Sequence, residues 1–126
     1  MTTGRDRLRR GEVWVANLNP NRGQEMGKVR PVLGPVLIVQ GDWLTEAQAR
    51  TVVVLPMTSE VRPEVHPLRV TVGARGRLRT DSQVVVEQPR TVDRDRIGDG
   101  PLTELTAAEM MQVEESLLAV LGVFRD

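Results

Sequence analysis

The apolar residues of this chain change period once, near residue 100, and that single change restricts the folds open to it. Before that point the apolar runs are short and bounded by turn residues. Glu12-Val13-Trp14-Val15-Ala16-Asn17-Leu18 alternates as a half-buried strand does, and Asn19-Pro20-Asn21-Arg22-Gly23 then breaks it. Val32 to Gln40 reads as a second, largely buried strand, and Thr51-Val52-Val53-Val54-Leu55-Pro56 as a third with almost continuous branched residues. Leu44 to Arg50 between them suits a short helical turn. Leu68 to Val72 and Gln83 to Glu87 predict further strands, followed by a short one around Thr91-Val92, while glycine and arginine fill Gly73-Ala74-Arg75-Gly76-Arg77. After the change, Met110, Val113, Leu117, Leu118 and Leu121 recur at helical spacing. Leu105-Thr106-Ala107-Ala108-Glu109 supplies a capping box and a hydrophobic staple at the start of that helix. Short strands, one late helix and no βαβ alternation predict a mainly β fold: a small, strongly curved antiparallel sheet or barrel with a C-terminal helix packed on it.

At 126 residues the chain suits one hydrophobic core. Residues 1–9 are polar, alternate in charge and carry no apolar period, so they read as a mobile N-terminal arm before a single domain spanning 10–126. There is no cysteine and one histidine, His66, in the turn-like Glu64-Val65-His66-Pro67, which leaves no ligand set for a metal and implies no cofactor. The N-terminus lacks a signal-peptide apolar core, and no window approaches the roughly 18 apolar residues of a membrane span. A soluble, cytoplasmic protein is expected. Net charge is zero, so any nucleic-acid binding must come from local patches. The cations are nonetheless lopsided: of seventeen, only Lys28 is not arginine. A GC-rich genome accounts for that bias, but arginine also grips phosphate in two places at once.

The stretch most able to carry chemistry is Gly23-Gln24-Glu25-Met26-Gly27-Lys28-Val29-Arg30-Pro31. It sets a carboxylate and a guanidinium on a glycine-bounded loop that runs into a strand. Taken in order, four blocks form a pattern: Arg10-Gly11-Glu12-Val13-Trp14, then Gly23-Gln24-Glu25 with Arg30-Pro31, then Leu55-Pro56-Met57-Thr58-Ser59, then Asp81-Ser82 leading to Glu87-Gln88-Pro89-Arg90-Thr91-Val92-Asp93. This order resembles the MazF/PemK family of toxin endoribonucleases, from about Arg10 into the C-terminal helix. The resemblance implies an SH3-like curved β-barrel of the MazF/CcdB kind, a twofold homodimer, and a cognate antitoxin that binds through a flexible acidic segment. It also implies metal-independent cleavage of single-stranded RNA at short motifs, by 2′-hydroxyl attack that leaves a 2′,3′-cyclic phosphate and a 5′-hydroxyl.

Such an attack needs a proton acceptor, a donor to the departing oxygen and groups that take up the added phosphate charge. Glu25 is the candidate base, because a carboxylate in a partly desolvated loop can titrate nearer neutrality. Arg30 is the candidate for charge stabilisation; a guanidinium stays protonated and clamps phosphate in two places. Thr58 offers a hydroxyl donor, and the resemblance puts it at the family's catalytic Ser/Thr position. Lys28, Ser59, Trp43, Arg22, Arg62 and Arg77 are the candidate RNA contacts, with Arg75 and Arg79 as further arginines able to stack or pair. Trp14 reads as core, and Trp43 as a stacking platform or a partner contact. Glu87, Gln88 and Arg90 read as structural pairs at the barrel edge.

One segment departs from the family. After Arg30-Pro31 the chain runs Val32-Leu33-Gly34-Pro35-Val36-Leu37-Ile38-Val39, with a Pro-Val-Leu unit repeated around a glycine. Proline has no N–H for a ladder, so Gly34-Pro35 predicts a bulge or longer loop at a sheet edge. This departure keeps a second reading open, a non-enzymatic toxin on the same fold that binds a protein target such as DNA gyrase.

Overall fold

The computed structural model describes residues 7–19, 32–65 and 68–123. Its strands are β1 (Glu12–Asn17), β2 (Leu33–Ile38), β3 (Thr51–Thr58), β4 (Val70–Val72), β5 (Ser82–Val84), β6 (Arg90–Asp93) and β7 (Thr103–Glu104). A short helix α1 (Asp42–Glu46) joins β2 to β3, and the C-terminal helix α2 covers Ala107–Val120. Every pairing is antiparallel, in the order β4-β5-β3-β2-β1-β7 with β6 also on β3.

β3 gives the sheet its curl by changing partners along its length. Thr51–Val54 pairs with Asp93–Arg90 of β6, and Met57–Thr58 with Val84–Gln83 of β5, while β2 occupies its other side. Pro56 falls between the two ladders, where a missing N–H costs no bond, and its carbonyl accepts from Val85 N at 2.8 Å. The alternation of β1 and β2 is buried on both faces. Val13, Leu37, Leu55 and Met57 join Val70, Val72, Val84, Leu105, Met110 and Val113 beneath α2. Trp14, Ala16, Val36, Ile38, Val52, Val54 and Val92 form a second cluster with Leu8 and Ile97. Each fully buried aliphatic side chain there contributes about 1.5–3 kcal/mol of transfer free energy.

Three local expectations are revised. Packing begins before Arg10, because Leu8 is 4% exposed in the second cluster. Gly34 and Pro35 are neither bulge nor loop; they continue β2, opposite Ala16 and Val15. The reason is local. Val15 directs its own N–H to Asp99 O and its carbonyl to Gly98 N, both at 2.8 Å, so it asks nothing of Pro35. On the other flank the β2–β3 ladder stops at Val36–Pro56, one residue short of Pro35. Finally, the strand expected at Gln83–Glu87 is shorter and turns away after Val84.

α2 forms where its signals stand. Thr106 Oγ1 accepts from Glu109 N at 3.1 Å and Glu109 Oε1 from Thr106 N at 2.8 Å, closing the capping box. Leu105 and Met110 meet in the core, as a staple requires. Of the helical stripe, Met110, Val113 and Leu117 face the sheet, while Leu118 and Leu121 are exposed.

Candidate functional site

β2 and β3 run antiparallel, so the start of β2 and the end of β3 lie at the same end of the sheet. Arg30 stands six residues before Val36 and Thr58 two residues after Pro56, and the Val36–Pro56 pair therefore anchors both approaches. Glu25, Arg30, Lys28 and Arg22 themselves lie outside the described residues, as does His66.

The base of the 20–31 segment is tightly made. Leu18 N donates to Val32 O and Val32 N to Asn19 Oδ1, both at 2.8 Å, and Asn19 N donates to Asn17 Oδ1 at 3.0 Å. Arg90 Nη2 donates to Leu18 O at 3.2 Å, and Arg96 Nη1 donates to the carbonyls of Asn17 and Asn19. Arginines 72 to 79 residues downstream thus hold the point from which the loop departs. Neither Asn19 nor Arg96 stood out in the sequence, because nothing local marks a side chain whose acceptor is so distant.

Thr58 closes β3 with its Oγ1 accepting from Glu60 N at 3.1 Å. A hydroxyl held through a lone pair in this way keeps its own O–H for an incoming acceptor. Across the sheet Thr58 is paired with Gln83, and Gln83 with Thr71, so the three side chains form a row on one face. Gln83 is fully buried, with Oε1 accepting from Arg62 N at 3.0 Å and Nε2 donating to Arg62 O at 3.2 Å and Thr71 Oγ1 at 3.4 Å.

Ser59, beside Thr58, is exposed and lines a cleft of about 460 Å³ with Val15, Pro35, Leu102, Arg77, Arg79, Thr80 and Asp99. A larger groove of about 680 Å³ lies between Leu68–Val70 and α2 and contains none of the candidate residues. Trp43 is 73% exposed, but it rides on α1 at the Thr51 end of β3. With a rise of about 3.3 Å per residue, Thr51 and Thr58 are about 23 Å apart, so the structure does not bring Trp43 to Thr58. Trp14 is buried as expected, its Nε1 donating to Glu12 Oε1 at 3.0 Å, and Gly100 is required beneath it because a Cβ there would fall 2.5 Å from the indole.

The arginines are mostly committed to the fold. Arg69 grips Glu87 through two nitrogens, and Arg75 grips Glu109 at 2.6 and 2.8 Å. Hydrogen bonding to Arg69 holds the Glu87 carboxyl below its ordinary range, against a smaller opposing effect of burial. Arg75 does the same to Glu109, lowering it to about 2 with help from Thr106 N–H. Arg62 pairs with Glu60 and Arg77 with Asp99, both exposed. Arg79 is different: it lines the cleft beside Ser59 and has no ion pair or hydrogen bond among the described residues. No group of three or more His, Cys, Asp or Glu side chains converges among those residues either.

A curled antiparallel half-barrel closed by one C-terminal helix, with a hydroxyl at the end of its central strand, places the chain among the small SH3-like toxin folds. The chain belongs to the family described as PemK-like, MazF-like toxin of type II toxin-antitoxin system, which residues 9–121 match. Its backbone is similar to that of an endoribonuclease from a mycobacterial species, with 25% identity, 94% of this chain and 95% of that one covered, and a TM-score of 0.71. It is likewise similar to a mycobacterial endoribonuclease solved in complex with its cognate antitoxin, at 26% identity, 94% and 99% coverage and a TM-score of 0.72. The MazE–MazF complex of Deinococcus radiodurans matches at 21% identity, 93% and 98% coverage and a TM-score of 0.70, a likeness of fold alone.

Proposed function

We propose that this chain is a sequence-specific endoribonuclease toxin that cleaves single-stranded RNA, mRNA included, and is held in check by a cognate antitoxin. The observation that carries the reading is the placement of Thr58. Its hydroxyl sits at the end of β3, oriented by Glu60 N–H, at the end of the sheet where β2 begins. A pure binding module has no need of an oriented hydroxyl together with the carboxylate and guanidinium of the Glu25–Arg30 motif, so this favours cleavage over the gyrase-binding alternative.

In this reading Glu25 accepts the proton of the 2′-hydroxyl as its oxygen attacks the adjacent phosphorus. Arg30 and the Thr58 O–H take up the charge that develops on the phosphate oxygens, and Arg30 hydrogen-bonds the departing 5′-oxygen, which takes its proton from water. The bond to that oxygen breaks as the new one forms, giving a 2′,3′-cyclic phosphate and a 5′-hydroxyl without a metal. Among the described cations Arg79 is the one best suited to a flanking phosphate, since Arg62 and Arg77 are already paired. Trp43, at the far end of β3, suits a contact with distant RNA or with a partner. A twofold homodimer and an antitoxin with an acidic segment complete the proposed assembly.

Incubating the purified protein with a long RNA in EDTA and mapping the new ends tests the reading. Discrete cuts bearing cyclic phosphate and 5′-hydroxyl ends are expected; an intact transcript together with arrested DNA gyrase would establish the other reading.

A further inference from the structure

We propose that Gln83 is a positioning residue of this site: its buried amide locks the 59–65 loop over the strand face that carries Thr58, and so orients the Thr58 hydroxyl. The inference rests on the endoribonuclease reading above. Its basis is the register and the hydrogen bonds. Thr58 and Gln83 are direct cross-strand partners, with side chains on one face at the Cβ spacing of roughly 5 Å usual for such pairs. Gln83 takes both backbone groups of one loop residue, accepting from Arg62 N and donating to Arg62 O, as a neighbouring strand would. The loop so held begins at Ser59, and its Glu60 N–H is the group that engages Thr58 Oγ1. A continuous path therefore runs from the Gln83 amide through the Arg62 backbone and Glu60 to the hydroxyl.

Packing gives no reason for an amide at this position. Gln83 is fully buried, yet its side chain lies with Thr58 and Thr71 on the face opposite Met57 and Val84, outside both apolar clusters, where an apolar residue would leave the Arg62 backbone groups without these partners. What the amide adds is a fixed conformation for an otherwise exposed loop; Ser59, Glu60, Val61 and Arg62 are all exposed. Those residues stand next to the cut in this reading, so the clamp also fixes which nucleotides fit there.

The test uses the purified full chain and its Gln83→Leu and Gln83→Met variants, after cleavage by the wild type has been established. In the wild type, hydrogen exchange at the Arg62 amide should be at least about tenfold slower than at Val61; an unprotected Arg62 amide would overturn the proposal even if neither variant folds. In a folded variant that protection should vanish and kcat should fall roughly 30- to 100-fold, as expected for a misplacement of about 1 Å, with KM within about threefold and cleavage spread over more sequences. Loss of protection with wild-type kcat and wild-type cut sites would reduce Gln83 to a fold element and refute the inference. A wild type that cuts no RNA would instead remove the endoribonuclease reading, and this inference with it.

Discussion

Replacing Glu109 by glutamine should weaken the fold at neutral pH and leave it unchanged near pH 2. One carboxylate there performs two tasks, closing the cap of α2 and holding Arg75 of the 73–78 turn against the helix. Glutamine at the third helical position can still accept from Thr106 N, so the change isolates the charge. The Glu109 carboxyl titrates at about 2 in the folded protein against an ordinary 4.5. A depressed folded value means the stabilisation is complete above about pH 4.5 and is lost as pH falls from there toward 2. At about 1.4 kcal/mol per pKa unit the ceiling is between about 3 and 4 kcal/mol. The Arg75 side chain is 32% exposed, and solvent screening lowers the expected difference to about 1–2 kcal/mol. Urea unfolding of both proteins, from neutral pH stepwise into acid, reads this directly as a gap between midpoints that closes as pH falls. A gap that stays constant with pH, or none at neutral pH, would refute the reasoning.

Three further outcomes follow from the site. Thr58→Ala and Arg30→Ala should each remain folded and lose roughly a hundred- to thousandfold in cleavage rate, checked by circular dichroism and single-turnover assays; wild-type rates in either would remove that residue from the mechanism. Arg79→Ala should weaken binding of a non-cleavable RNA and lower the slope of log affinity against log salt by about 0.7, the share of one phosphate contact, whereas an unchanged slope would show that Arg79 touches no phosphate. Asn19→Ala removes the acceptor for Val32 N–H and should slow cleavage severalfold with a loss of only about 1 kcal/mol in stability; equal kinetics would mean that the loop base does not position Arg30.

The elements whose signals are local could be read from the chain. β1 alternates, β3 opens on four consecutive β-branched residues, and α2 carries its own capping box, so each was legible within a dozen residues. Where the reading failed, the deciding partner was distant. Gly34-Pro35 suggested an edge bulge because a proline cannot donate; that no donor is needed depends on Gly98 and Asp99 serving Val15 from across the sheet. Among the candidate arginines, the carboxylate partners of Arg75 and Arg77, Glu109 and Asp99, lie 34 and 22 residues away in sequence, so those pairs were not visible locally. Gln83 sits in a strand-like run and shows its role only when the loop from Arg62 closes over it. Trp43 rides at the Thr51 end of β3, about 23 Å from Thr58, a separation that only the folded strand reveals. Thr58 itself was found through the order of motifs, and its place at the end of β3 supplies the physical reason for an oriented hydroxyl.

The most direct test of the central claim uses a short RNA spanning a mapped cut site, with a single 2′-deoxy nucleotide immediately 5′ of the scissile phosphate. If the 2′-hydroxyl is the nucleophile, the protein should bind this oligonucleotide about as tightly as the all-ribose one and leave it uncut, while cutting the latter to a cyclic phosphate. Cleavage of the deoxy-substituted RNA at an undiminished rate would contradict the account, since the attacking oxygen would then have to come from elsewhere.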